Sequence, residues 1–160
     1  MRLLFFVVSL FALVGCGRIG YDALVVDCPP GWTPSPDQRA CYIFETSSVG
    51  WDEAEAACEA AAPDAHLPVI ESAEEYRFVS DEVAGGSVIW LGLTDRAEEG
   101  TMRWLTGAEP EFTMYPAAGI ANGDVEDCID ALDEWNIWEC SLGCPFVCEL
   151  DGQAPDPTAY

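Results

Sequence analysis

The chain has 160 residues, half of them hydrophobic, which is enough material for a compact core in one domain of ordinary size. Its charge is lopsided, because 29 acidic residues against six arginines and no lysine give a formal net charge of −23 at pH 7. A surface this negative repels phosphate backbones, which excludes nucleic acid as a partner. It can, however, gather cations such as calcium.

The start of the chain predicts an export signal. An apolar run over residues 3–14 is too short to cross a bilayer as a stable helix. The run ends at Cys16 in a Leu-Val-Gly-Cys sequence that resembles the lipobox of bacterial lipoproteins, in which the cysteine becomes the acylated first residue. This resemblance predicts a signal peptide over residues 1–15, a lipid on Cys16 and a tether over residues 16–27; the alternative is an ordinary signal peptide with a chance cysteine. The lipid would anchor the protein in the cell envelope, and Gly17 in place of an aspartate favours the outer membrane, facing either the periplasm or the outside.

The next segments predict a hairpin and two helices. Prolines and a glycine follow Cys28, and the alternation of residues 41–44 is a strand signal, so this part predicts a β-hairpin. Residues 51–62 are rich in alanine and place apolar side chains at helical spacing, which predicts a first helix that ends at Pro63. Ser72 followed three residues later by a glutamate is a capping box for a second helix, which we expect to run to about Val83.

The second half of the domain predicts a buried strand and a long loop. Residues 88–93 form a continuous apolar run bounded by glycines and polar residues, which suits a fully buried strand at the centre of a sheet. The 23 residues between Trp104 and Cys128 contain several prolines and glycines and little periodicity. A stretch of this length without regular structure is usually functional or disordered. The tail at 151–160 offers nothing to bury, and we expect it to be mobile.

Residues 126–149 contain three short apolar segments separated by cysteines, a pattern typical of small strands joined by disulfides. A segment this short cannot be a complete fold. At least one of its cysteines must therefore reach back to an earlier part of the chain, where Cys28, Cys41 and Cys58 are the obvious partners.

The order and spacing of these cysteines, tryptophans and glycines resemble those of the C-type lectin-like domain family, over nearly all of residues 28–149. The resemblance implies an α+β fold over residues 28–150 with two helices, small antiparallel sheets, a long loop region and disulfide staples. The matching positions are Cys28-Pro29, Gly31-Trp32, Cys41-Tyr42, Phe44, Trp51, Ala54, Cys58, Leu67, Ile70, Trp90-Leu91-Gly92-Leu93, Trp104, Gly107, Cys128, Trp135-Asn136, Cys140, Phe146 and Cys148.

The resemblance also implies three disulfides, and it leaves one cysteine over. The implied pairs are Cys28–Cys41, Cys58–Cys148 and Cys128–Cys140. Eight cysteines minus the lipidated Cys16 leave seven, an odd number, and Cys144 has no counterpart in the family pattern. It is a buried free thiol, an intermolecular bridge that would give a disulfide-linked dimer, or a competitor for Cys140.

Family members that bind sugar hold calcium with an acidic or amide triplet in the long loop, a glutamate before the third cysteine and a Trp-Asn-Asp motif. In this chain Glu126 and Asn136 match, but Ile137 replaces the aspartate. The triplet position falls near residues 119–121, which supply no side-chain oxygen. The sugar-binding calcium site is therefore predicted to be degraded.

An auxiliary calcium site of part of the family is better preserved. Its positions correspond to Asp95, Glu99 and Asp127, and Asn122 or Asp124 could supply a fourth side chain from the long loop. The alternative is a solvated acidic surface, in a chain where acidic residues are abundant.

No catalytic constellation is visible, because the single histidine, His66, lies in a turn without a nucleophile motif around it. We therefore expect a non-enzymatic ligand-recognition module of a cell-envelope lipoprotein, which binds carbohydrate or protein through the long loop region. The alternatives are a structural envelope protein without sugar binding, and a calcium-dependent lectin with a non-standard site. The predicted ligand contacts are Glu126, Asn136, Trp135, Tyr115 and Phe112.

Overall fold

The computed structural model describes residues 26–115 and 125–160. The predicted signal peptide, the lipidation site Cys16 and most of the tether lie outside these residues, as do the predicted calcium ligands Asn122 and Asp124. Within the two described ranges, no helix is long and apolar enough to cross a membrane.

The described residues form two helices and seven strands. Helix α1 spans Trp51–Ala61, and helix α2 spans Ala73–Arg77 and continues directly into a π-helical segment, Phe78–Val83. The strands are β1 Thr33–Pro34, β2 Cys41–Val49, β3 Ile89–Thr94, β4 Arg103–Trp104, β5 Cys128–Ala131, β6 Trp135–Trp138 and β7 Cys144–Leu150.

All seven strands belong to one sheet, in the order β1-β2-β7-β3-β5-β6, with β4 paired to β3. Most neighbours are antiparallel, as expected, but β3 and β7 are parallel, with Trp90 opposite Phe146. The predicted small antiparallel sheets are therefore joined into a mixed sheet. The join arises because β7 returns from the end of the domain to lie between β2 and β3.

Helix α1 packs one face against this sheet. Trp51, Ala54 and Cys58 are buried at helical spacing, which agrees with the predicted helix. The indole N–H of Trp51 donates to the Leu91 carbonyl at 2.7 Å, so the buried polar atom is satisfied. In α2 the predicted cap is present, because the Ser72 hydroxyl accepts a hydrogen bond from the backbone N–H of Glu75.

Strand β3 is buried along its whole length, as predicted, and one of its residues must be glycine. A Cβ on Gly92 would lie 2.8 Å from the Leu67 carbonyl oxygen and would also collide with the Leu105 side chain. The missing side chain lets the chain at Leu67 and the start of the long loop approach the centre of the sheet.

The three disulfides join the pairs that the resemblance implies: Cys28–Cys41, Cys58–Cys148 and Cys128–Cys140. Cys144 is buried and has no disulfide partner among the cysteines that the structure describes. Burial, reinforced by the charge of Asp130, raises the pKa of the Cys144 thiol to about 12. Of the three alternatives, the structure shows the buried free thiol, and the bridge to a second molecule stays a prediction.

The expectation that residues 151–160 have nothing to bury is wrong. Ala159 is buried, and the Tyr160 ring packs edge-on against Trp51 with 5.4 Å between ring centroids. The Asp156 N–H donates to the Leu105 carbonyl at 2.8 Å. The last residues therefore close over α1 and the start of the long loop.

Candidate ligand-binding face

Trp135 is the centre of an aromatic cluster, not an exposed ligand contact. Its side chain is fully buried, and four aromatic rings meet it edge to face at centroid distances of 5.6–5.9 Å. Such edge-to-face pairs add stability beyond the area that they bury. The four rings belong to Tyr76, Trp104, Phe112 and Tyr115.

Phe112 and Tyr115, which were also predicted to contact ligand, are half-buried and turned toward Trp135. The backbone N–H of Trp135 donates to the Met114 carbonyl at 3.3 Å, which fixes the same stretch of loop to β6. These aromatic residues therefore hold the long loop in place. The prediction that Phe112 and Tyr115 contact ligand stays a prediction, which would involve only the part of each ring that is left exposed.

The outward side of β6 carries the exposed groups. Because side chains alternate along a strand, Asn136 and Trp138 lie on the side opposite to Trp135, and 43% of the Trp138 side chain is exposed. Across the ladder, Asn136 pairs with Asp130 and donates from Nδ2 to its Oδ1 at 3.4 Å. Asp130, Asn136 and Trp138 together are called the hairpin face below.

The carboxyl group of the hairpin face is partly withdrawn from water. Burial raises the pKa of Asp130, and hydrogen bonds from Asn136 and Trp138 oppose that rise. The exposed indole therefore lies beside a carboxylate and an amide that are already oriented. Sequence reasoning included Asn136 but missed Trp138, although its position two residues further along the same strand was the available signal.

Asp95, the first predicted calcium ligand, has an unsatisfied oxygen. The residue is 1% exposed, and its Oδ2 accepts a hydrogen bond from the Gly100 N–H at 3.0 Å. Its Oδ1 is buried and has no hydrogen-bond partner in the described part of the chain. Burial raises the pKa of Asp95, and the charge of Asp127 raises it further.

Three of the predicted calcium ligands, Asp95, Glu99 and Asp127, lie in the described part of the chain. Across residues 26–115 and 125–160, no three histidine, cysteine, aspartate or glutamate side chains gather as a metal site would require. A calcium site of Asp95, Glu99 and Asp127, completed by Asn122 or Asp124, therefore stays a prediction. Glu126 is half-buried two residues before β5, whereas Asn136 is exposed within β6.

Two helices packed on a small mixed sheet and three disulfides define a C-type lectin-like fold. The sequence agrees with this class, because residues 47–150 match the Lectin C-type domain family. The chain belongs to that family. Its members are non-enzymatic and typically depend on calcium, which makes calcium plausible here.

Individual relatives support the same assignment. The chain is 35% identical over 144 residues to the human "C-type lectin domain family 17, member A", an alignment that covers 89% of this chain and 35% of the relative. It is 33% identical over 140 residues to an "Alpha-N-acetylgalactosamine-specific lectin" of Patiria pectinifera, covering 77% of this chain and 82% of the relative. The match covers 56% of the mouse "CD209 antigen-like protein A", so some relatives are much longer than this chain.

Solved structures agree with the fold. The human scavenger receptor C-type lectin carbohydrate-recognition domain superposes with a TM-score of 0.67 at 30% identity, covering 78% of this chain and 99% of that one. The C-type lectin domain of murine dendritic cell inhibitory receptor 2, solved in complex with N-glycan, gives a TM-score of 0.66 at 26% identity, covering 78% and 99%.

Proposed function

We propose that this protein is a non-enzymatic ligand-recognition module of a cell-envelope lipoprotein, which binds neutral carbohydrate at the hairpin face and the adjoining long loop. The observation that carries the proposal is the exposed Trp138 indole beside the Asn136 amide and the Asp130 carboxylate. A sugar ring has an apolar C–H side and a rim of hydroxyls. An indole can cover the former, while an amide and a carboxylate bond the latter.

The charge of the chain narrows the ligand class. A formal charge of −23 opposes sialylated, sulfated or phosphorylated glycans, so neutral glycans are favoured. The similarity to an alpha-N-acetylgalactosamine-specific lectin is consistent with this class. A protein ligand is the alternative within the same recognition function.

An array of neutral oligosaccharides, probed with the full chain, tests the proposal. We expect binding that Trp138→Ala weakens at least about fivefold, because the loss of one stacking surface costs about 1 kcal/mol or more. Leu142→Ala is the matched control, since Leu142 is also 43% exposed but lies outside the hairpin face. Equal binding by wild type and Trp138→Ala would contradict the proposal, as would capture of envelope proteins with no glycan bound.

Calcium is a second element of the proposal, and the unsatisfied Oδ1 of Asp95 favours it. Asp95, Glu99 and Asp127 would contribute carboxylate oxygens, and Asn122 or Asp124 would supply a fourth side chain. When bound, the ion would supply positive charge to this end of the long loop. Running the same array with calcium and with chelator tests this idea, because any gain from calcium should be absent in Asp95→Ala.

The membrane anchor remains a proposal that rests on the sequence around Cys16. Radiolabelled palmitate should be incorporated by the wild-type protein in a bacterial host and not by Cys16→Ser. Equal labelling of the two proteins would remove the anchor from the proposal and leave the recognition module intact.

A further inference from the structure

A cavity of about 560 Å³ lies on the part of the domain formed by the turn before β2, the start of α2 and the end of β7. Its lining includes two of the most deeply buried polar side chains in the described chain. Tyr42 on β2 is 1% exposed, and Glu149 on β7 is 2% exposed. Neither residue takes part in the proposed recognition face.

The Tyr42 hydroxyl lies between two carboxyl groups. Its oxygen is 2.8 Å from Glu75 Oε1 and 2.9 Å from Glu149 Oε1. The second oxygen of each glutamate also accepts a backbone hydrogen bond. Glu75 Oε2 accepts from the Glu71 N–H at 2.7 Å, and Glu149 Oε2 accepts from the Val69 N–H at 2.8 Å.

These two short contacts need two protons, and the tyrosine can supply only one. If both glutamates were ionised, one pair of oxygens at hydrogen-bond distance would face each other without a proton. Such a contact between two buried oxygens is strongly unfavourable, and the Val69 N–H satisfies only the other oxygen of Glu149. One carboxyl group must therefore be protonated, and Glu149 is the more deeply buried of the two.

We infer that Glu149 keeps its proton in the folded protein and donates it to Tyr42, which in turn donates to the Glu75 carboxylate. We call Glu149, Tyr42 and Glu75 the proton clamp. It connects β7, β2 and α2 through one chain of hydrogen bonds, and through the Val69 and Glu71 amides it also holds the segment between α1 and α2. Because this chain of hydrogen bonds needs the proton on Glu149, it makes the stability of the fold depend on pH.

The neighbouring His66 is accounted for separately. Its Nδ1 lies 2.9 Å from the Leu67 carbonyl, which can only accept, and its Nε2 lies 3.3 Å from Asp151 Oδ1. Both ring nitrogens therefore donate, so His66 is an imidazolium whose charge Asp151 neutralises. It does not supply the missing proton to Tyr42.

Other charged groups surround the clamp from every element packed against it. The Glu55 carboxylate on α1 accepts from the Leu67 N–H at 2.7 Å, beside His66. The lining of the cavity adds acidic side chains and one arginine, namely Asp37, Arg39, Glu71, Glu74 and Asp151. The excess of negative charge favours the protonated form of Glu149.

The pKa values of Glu149 and His66 determine whether the stability of the fold rises or falls with pH. Burial, reinforced by the charge of Glu75, raises the pKa of Glu149 to about 8, although the charge of His66 opposes the rise. Burial alone would lower the pKa of His66, but its hydrogen bond to Asp151 and the nearby carboxylates outweigh burial and raise it to about 9. The pKa values of Glu149 and His66 are both higher in the folded protein than in the unfolded chain. Each group therefore stabilises the fold fully below its unfolded pKa and loses this stabilisation as the pH rises through its folded pKa.

Urea unfolding of the full chain between about pH 5.5 and 7.5 tests the clamp. In this range a single extra proton in the folded state makes the unfolding equilibrium constant rise about tenfold per pH unit. We expect Glu149→Gln to remove that tenfold rise, because its amide can donate to Tyr42 at every pH. The slopes from His66 and from Glu55, whose pKa burial raises to about 7, should remain in both proteins.

Two further variants keep the test decisive. Glu45→Gln changes an exposed glutamate on β2 and should keep the wild-type slope. If Glu149→Gln does not fold, Glu75→Gln takes its place in the test. The amide of the glutamine at position 75 can donate to the Tyr42 oxygen, so that Tyr42 donates to Glu149 and Glu149 can ionise. This variant should therefore also lack the tenfold rise of the unfolding equilibrium constant per pH unit. In wild type, hydrogen-exchange protection of the Val69 and Glu71 amides should fall above about pH 8. Wild-type slopes in both glutamine variants would overturn the inference.

Discussion

Replacing both Cys58 and Cys148 with alanine is expected to lower the free energy of unfolding by about 4–5 kcal/mol. The disulfide spans 90 residues, and on the loop-entropy model it removes more freedom from the unfolded chain than a short bridge does. Both sulfurs are buried where α1 packs on β7, so the bridge also fixes the first helix to the strand that completes the sheet. Urea unfolding under non-reducing conditions measures the change.

The matched control is the pair Cys128→Ala and Cys140→Ala, which removes a disulfide spanning only 12 residues. The same model predicts a smaller loss, of about 3 kcal/mol. Changing both cysteines in each case avoids leaving a new free thiol beside Cys144. If the two double variants lost equal stability, the loop-length argument would be contradicted.

The parts of the fold that were predictable are those encoded by local patterns. The helical spacing of Trp51, Ala54 and Cys58 predicts α1 to within a residue, because one face of a helix must be apolar to pack. The capping serine before α2 and the apolar run of β3 are equally local signals. The disulfide pairs followed from the family resemblance, which no local pattern could have replaced.

The parts that could not be predicted depend on contacts between distant residues. Tyr42 meets Glu75 and Glu149 across 33 and 107 positions, and the sequence contains too many acidic residues to single out these two. The burial of Ala159 and Tyr160 likewise depends on a surface formed by α1. Proline-rich composition indicates irregular backbone, but it does not tell whether that backbone packs.

The two tryptophans of β6 illustrate a different failure. An aromatic residue in a binding domain was interpreted as a ligand contact, yet Trp135 is buried and Trp138 is exposed. They are three residues apart, an odd separation that places them on opposite sides of a strand. Once the strand is known, its alternation gives the side of each residue, but only the sheet order tells which side is the core.

This difference in burial predicts that alanine substitution of the two tryptophans changes stability by very different amounts. Trp135→Ala is expected to cost about 3–5 kcal/mol, since it leaves a large cavity among four edge-to-face rings. Trp138→Ala removes an exposed side chain and should change stability by only about 0.5 kcal/mol. Urea unfolding of both variants under the same conditions measures the contrast.

The binding readout separates the roles of the two residues. Trp135→Ala should weaken ligand binding indirectly, because the Phe112 and Tyr115 rings lose the indole that they pack against, and only the backbone hydrogen bond to the Met114 carbonyl is left. Trp135→Phe should recover part of both stability and binding, since a smaller ring keeps some of the edge-to-face contacts. A Trp135→Ala protein as stable as Trp138→Ala would show that the cluster does not organise the loop, and the recognition face would then have to be sought elsewhere on the domain.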